Sequence, residues 1–232
     1  MQTNTVTVRT KVLQDELKME GVTVLTYKIE YPVFQASRYQ LCLAVVNNYY
    51  KTRALEYQNY VKRELYPQAI EQYENAVANG FPVIAYEVLT KFRLTYNHAC
   101  VISLYTDKYE FTGGAHGNTV RSSQTWNLQG CRRLRLGELF GCGLNPKQYI
   151  LELAKKQIEK EPDIYFENYE ELLKENFNEK NFYCTQRGIV FYYQQYDIAP
   201  YSSGIREFLI PYTRCVFNPS KTCFRIFVED DD

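Results

Sequence analysis

The residue with the richest chemistry in this 232-residue chain is His116. It lies in Thr112-Gly113-Gly114-Ala115-His116-Gly117-Asn118, where closely spaced glycines demand an irregular backbone. An imidazole flanked in this way can approach a ligand closely, or exchange a proton near neutral pH. Equally, it can lock the loop by bonding to backbone. The only other histidine, His98, falls in a predicted turn, so a site built on several histidines is not assembled. A second irregular segment contains Pro200-Tyr201-Ser202-Ser203-Gly204. It either presents Tyr201 to a partner, with Pro200 lowering the cost of ordering, or tucks that ring into the core. The candidate binding residues are therefore Gly113, Gly114, His116, Gly117, Pro200, Tyr201, Ser202 and Gly204. No catalytic residue, cofactor or metal ligand is assigned.

Other chemistry finds little support. Glu87, Asp107 and Glu110 offer carboxylates for a glycosidase pair, but strand surfaces carry such residues routinely. The chain lacks G-x-S-x-G, H-E-x-x-H, a P-loop and a dinucleotide fingerprint. A binding domain is expected ahead of an enzyme. Lys plus Arg and Asp plus Glu both number 27, leaving no basic surplus for nucleic acid. No apolar run approaches the ~18 residues of a membrane span, so insertion of this stretch into a membrane is not expected. Met1 to Glu20 is too polar for a signal peptide. The expected location is extracytoplasmic if an export segment precedes it, and cytoplasmic if Met1 is the native start. None of the seven cysteines forms a C-x-x-C pair, and they read as scattered reduced core thiols, with a Cys215–Cys223 bridge as the alternative. The 22 tyrosines suit both contact surfaces and half-buried sheets.

The elements that must position these loops follow from periodicity. Alternation predicts strands over 5–12 and 22–31, the second closed by Pro32. Ser37 and Gln40 suggest a capping box, opening a long helix with the stripe Cys42, Val46, Tyr49, Tyr57, Val61, Leu65, Ala69, Tyr73 and Val77. Pro67 should kink or split it, and Asn79-Gly80 should end it. A β meander follows, with strands over 86–96, 100–104 and 118–128 and a turn at Asn97-His98. Then come a helical turn at 136–140, a helix capped by Asn145 with buried Ile150, Ala154 and Ile158, and a short helix capped by Asn168. A hairpin over 182–193 turns at Arg187-Gly188, and final strands span 208–212 and 223–228, before a frayed acidic tail, Glu229–Asp232. The order gives an α+β fold with mixed and antiparallel sheets, a long N-terminal helix and two subdomains, residues 1–96 and 97–232.

Tyr109-Glu110-Phe111-Thr112-Gly113-Gly114-Ala115-His116-Gly117 resembles the Y-x-[FY]-T-G-G-A-H-G signature of a bacterial domain found in the ectodomains of RsiV-type anti-sigma factors and beside some peptidoglycan deacetylase domains. Asp197-Ile198-Ala199-Pro200-Tyr201, Phe208-Leu209-Ile210-Pro211-Tyr212 and the turn Leu136-Gly137-Glu138-Leu139-Phe140 extend the resemblance. The first hundred residues resemble the smaller domain that usually precedes it. The resemblance implies a non-catalytic sensor that binds lysozyme or a similar wall-active protein. The alternative is a peptidoglycan-binding or peptidoglycan-modifying accessory using His116. This sequence shows neither the membrane segment nor the sigma-binding segment of such regulators, so the binding role is the part of the resemblance expected to carry over.

Overall fold

In the computed structural model, residues 6–223 are described. The expected strand over 223–228, apart from Cys223, and the acidic tail lie outside them. Among the described residues the fold is α+β, with nine strands in two sheets. Six strands form one sheet in sequence order: β1 (Thr7–Met19), β2 (Val22–Gln35), β3 (Tyr86–His98), β4 (Val101–Phe111), β5 (Asn118–Asn127) and β6 (Arg132–Arg133). All neighbours are antiparallel except β2 and β3, which pair in parallel over Leu25–Ile29 and Tyr86–Thr90. Three antiparallel strands, β7 (Phe182–Cys184), β8 (Gly188–Tyr193) and β9 (Arg206–Pro211), form the second sheet. The boundary expected at residues 96–97 falls inside β3.

The long helix runs as α1 (Gln40–Tyr60), a π turn (Val61–Leu65) and α2 (Tyr66–Asn79). The sequence series repeats every four residues, slightly more than the 3.6 of an α-helix, so its stripe should drift around the axis. The wider π turn takes up that drift: Tyr57, Val61, Leu65 and Ala69 are all buried. Tyr73 is only half-buried and Val77 is exposed, because beyond α2's first turns the drift resumes. Pro67 does not split the helix. It sits in the first turn of α2, directly after the π turn, where a missing N–H is tolerated. The expected capping box is absent: Tyr39 is the N-cap, in the left-handed region, and the Gln40 amide donates to the Ser37 carbonyl.

Two other boundaries move. Pro32 lies within β2 rather than closing it, because β3 pairs only as far as Ile29 and leaves an edge where a proline N–H is not needed. The free edge is met instead by Asn47, whose amide accepts from Phe34 N–H at 2.7 Å and donates to the Phe34 carbonyl at 2.9 Å. The β3–β4 turn falls at Ala99-Cys100, two residues late, with Ala99 at φ 54°.

The layers are helix, sheet, sheet, helix. Leu25, Tyr27, Ile29 and Val88 face Tyr57, Val61 and Leu65 of the long helix. On the opposite face of the large sheet, Tyr105 meets Tyr183, Val190 and Tyr192. The far side of the small sheet buries Ile189, Phe191 and Phe208 against Ile150, Ala154 and Ile158 of α3 (Pro146–Ile158) and Leu173 of α4 (Tyr169–Glu175). Asn145 caps α3 as expected, accepting from Gln148 N–H.

The cysteine reading is overturned. Three disulfides join Cys42 to Cys131, Cys100 to Cys223 and Cys142 to Cys215. Cys215 and Cys223 therefore take separate partners. The folded chain juxtaposes thiols 73 to 123 residues apart, a proximity no spacing rule reveals. Cys184 remains a buried thiol, its pKa pushed up to about 12 by burial.

Candidate functional site

The two irregular loops meet. The His116 imidazole stacks on the Tyr201 ring, centroids 3.7 Å apart and planes within 15°. Tyr196 stands beside both, 5.8 Å from Tyr201 and 6.4 Å from His116. His116 Nδ1 lies 3.1 Å from the Gly117 carbonyl, which can only accept, so this contact needs the proton on Nδ1. Nε2 then receives the Tyr196 hydroxyl at 3.4 Å. Both ring nitrogens are thus engaged, and the imidazole serves as part of an aromatic platform. The platform is open to solvent: His116 is exposed, Tyr201 half-buried and Tyr196 51% exposed. Neither loop is sealed inside the frame.

Local packing explains the glycines. Gly113 has φ +85°, and a Cβ there would overlap the Gln72 side-chain amide of α2. A Cβ at Gly117, which is buried, would overlap the Tyr109 ring. These contacts clamp one side of the loop on the long helix and the other on β4. Gly114 and Ala115 are exposed at the tip.

The second loop is held by side-chain amides acting as a strand. Gln194 accepts from Arg121 N–H at 2.9 Å and donates to the Arg121 carbonyl at 2.7 Å, while Gln195 accepts from Thr119 N–H at 2.7 Å. They cover the edge of β5 that β6 leaves unpaired, and they fix the loop beside the glycine-rich segment. Asp197 accepts from Gln194 N–H at 2.7 Å; burial raises its pKa against that hydrogen bond. Tyr201–Ser203 forms a 3-10 turn, with Ser203 donating to the Ile164 carbonyl. Pro200 and Ser202 are exposed, and Gly204 closes the turn at φ 63°. Of the predicted residues in this loop, Tyr201 makes the ring contact with His116; Pro200, Ser202 and Gly204 frame its turn.

The carboxylates named for a glycosidase pair are not gathered. Asp107 and Glu110 point to opposite faces of β4: Asp107 is held by Arg121, and Glu110 accepts from the Tyr57 hydroxyl at 2.7 Å. Glu87 is exposed on β3. Among the described residues, no group of three or more His, Cys, Asp or Glu is placed to hold a metal.

Residues 137–213 match the family model described as a protein of unknown function, DUF3298. Residues 20–119 match a second model, described as Deacetylase PdaC. The DUF3298 match covers the second loop and the sheet below it; the PdaC match ends just past His116. The structure is similar to that of a DUF3298 family member from Bacteroides fragilis NCTC 9343, with TM-score 0.67 and 21% identity over 90% of this chain and 92% of that one. It is also similar to a DUF3298 family protein from Pseudomonas aeruginosa PAO1, with TM-score 0.54 and 18% identity over 89% and 91%. At these identities the likeness concerns the fold. No curated protein matches the sequence. The two loops that meet at His116 and Tyr201 thus come one from the PdaC-matching part and one from the DUF3298-matching part.

Proposed function

We propose that the chain is a non-catalytic recognition domain that grips a protein partner through the His116, Tyr196 and Tyr201 patch, and that this partner is lysozyme or a similar wall-active protein. The observation carrying this reading is an exposed aromatic platform built from two loops on a rigid frame. Tyrosine rings deliver large contact area at low entropic cost, and preorganised loops keep that cost low on binding. The choice of lysozyme comes from the resemblance to RsiV-type ectodomains. Three disulfides suit an oxidising compartment and support an extracytoplasmic location.

A second reading, which comes from the same resemblance, is a peptidoglycan-binding or peptidoglycan-modifying accessory that uses His116 at this patch; the match of residues 20–119 to a model described as a deacetylase is in keeping with it. One calorimetric series separates them. Titration with lysozyme should show one-to-one binding, and Tyr201→Ala should weaken it by about 30-fold or more, the loss expected of a central aromatic anchor. Lysozyme binding unchanged in Tyr201→Ala would remove the patch from the interface. Silence toward lysozyme, with binding of peptidoglycan fragments that Tyr201→Ala abolishes, would establish the second reading.

A further inference from the structure

The large sheet should bury an unbroken apolar face under the long helix, yet its middle is polar. Register places Thr90 of β3, Thr106 and Lys108 of β4, and Ser122 and Gln124 of β5 on the helix-facing side, because Ile29 pairs with Thr90, Thr90 with Lys108 and Thr106 with Ser122. Apolar clusters lie at both ends of this stretch, one around Tyr57, Val61 and Leu65 and the other around Val46, Ile102 and Trp126. Between them β2 and β3 part company, since their pairing ends at Ile29 and Thr90, and a cavity of about 270 Å³ opens under α1. That is room for several water molecules or one monosaccharide-sized ligand.

The lining is selective. Tyr49, Tyr50 and Tyr57 roof it from α1, and Tyr31 and Pro32 wall it from β2. Thr90, Thr106, Ser122 and Gln124 form the floor. The Thr90 Oγ1 is itself closed to solvent, and the Gln124 side-chain oxygen accepts from the Tyr50 hydroxyl at 3.1 Å. Glu30 pairs with Lys28 at 3.0 Å and Arg53 pairs with Glu56 at 3.1 Å; Glu110, on the same face of β4 as Lys108, accepts from the Tyr57 hydroxyl. Lys108 has no ion pair among the described residues; its ammonium sits 4.1 Å from the Tyr57 ring centroid. Burial lowers its pKa, with Glu110 acting against that shift and Arg53 reinforcing it.

A wall formed by Tyr31 and Pro32, a polar floor, and a cation without an ion pair suit a small polar ligand that carries a negative charge. We propose that this cavity binds a small polyhydroxylated carboxylate, a sugar acid of hexuronate size, with Lys108 on the carboxylate and Thr106 and Gln124 on ring hydroxyls. It shares no residue with the His116 patch, so either assignment can fail alone.

The test is calorimetric titration of the full chain with D-glucuronate, with D-glucose and acetate as controls. Glucuronate should bind, and glucose, which lacks the charge, should bind about tenfold more weakly. Lys108→Met should bring glucuronate down to the glucose level. Thr106→Val, which keeps the shape of the side chain on β4, should weaken both sugars while leaving thermal stability intact. Failure of the unmodified protein to bind glucuronate overturns the proposal. So does equal affinity for glucuronate and glucose, or affinity unchanged in both variants.

Discussion

Changing Cys100 and Cys223 together to serine should lower the free energy of unfolding by about 4–5 kcal/mol, the loop-closure effect of a bridge spanning roughly a hundred residues. The bridge encloses 123 residues and joins the β3–β4 turn to the last described segment of the chain. The Cys142–Cys215 bridge also ties this segment, so the loop that Cys100–Cys223 closes in the unfolded chain is shortened to about 50 residues, which puts the loss near the lower end of that range. Hydrogen bonds hold its last residues. The Tyr96 hydroxyl donates to Asn218 at 2.6 Å, and the Asn127 amide donates to the Thr222 carbonyl at 3.0 Å. Neither constrains the unfolded chain, so neither substitutes for the bridge. Urea unfolding monitored by tryptophan fluorescence reads the difference directly, because Trp126 lies in the adjoining core. A loss below about 1 kcal/mol would mean that the bridge does not set the chain's stability.

Arg121→Ala should cost about 3–5 kcal/mol, the penalty for removing one partner of a buried ion pair. The Arg121 side chain is 9% exposed and lies between the two sheets. It donates twice to Asp107, at 2.6 and 2.7 Å, and also to Glu207 of β9. Its guanidinium carbon sits 3.7 Å from the Tyr105 ring centroid. Burial disfavours its charge, but the hydrogen bonds and charges of Asp107 and then Glu207 more than offset this and raise its pKa. Without the arginine, Asp107 stays partly buried beside an aromatic wall with no counter-charge. The double variant Arg121→Ala with Asp107→Asn should recover part of the loss, a coupling that thermal unfolding of the four proteins in the cycle measures. The Arg121 backbone, which alanine keeps, anchors Gln194, so the Tyr201 loop should stay in place in the single variant.

Much of this architecture is legible from residue order. Period-two runs locate most strands, and Asn145-Pro146 marks the start of α3, because both signals are local. Strand ends are less legible. Pro32 reads as a stop unless one knows that β3 leaves that edge free. The π turn is hidden because a four-residue repeat looks helical whether or not the helix widens to keep it in register. Glycine spacing and the Pro-Tyr step reveal both halves of the candidate site. Their meeting is hidden, since it depends on Gln194 and Gln195 imitating a strand against β5, and nothing distinguishes those amides from surface glutamines. Tyr196 is missed as a patch member for the same reason. The polar strip under α1 is present in the sequence as Thr90, Thr106, Lys108, Ser122 and Gln124, but only register shows that five hydrophilic residues share a face turned toward a helix.

The central claim is that a partner is held at the joined loops. Hydrogen exchange of the chain alone and with saturating lysozyme tests it most directly, because protection reports which backbone is covered. The account predicts new protection concentrated in residues 113–118 and 196–204, with the strands beneath unchanged. Complex formation that leaves both loops exchanging at their free rates, with protection elsewhere on the surface, would contradict it.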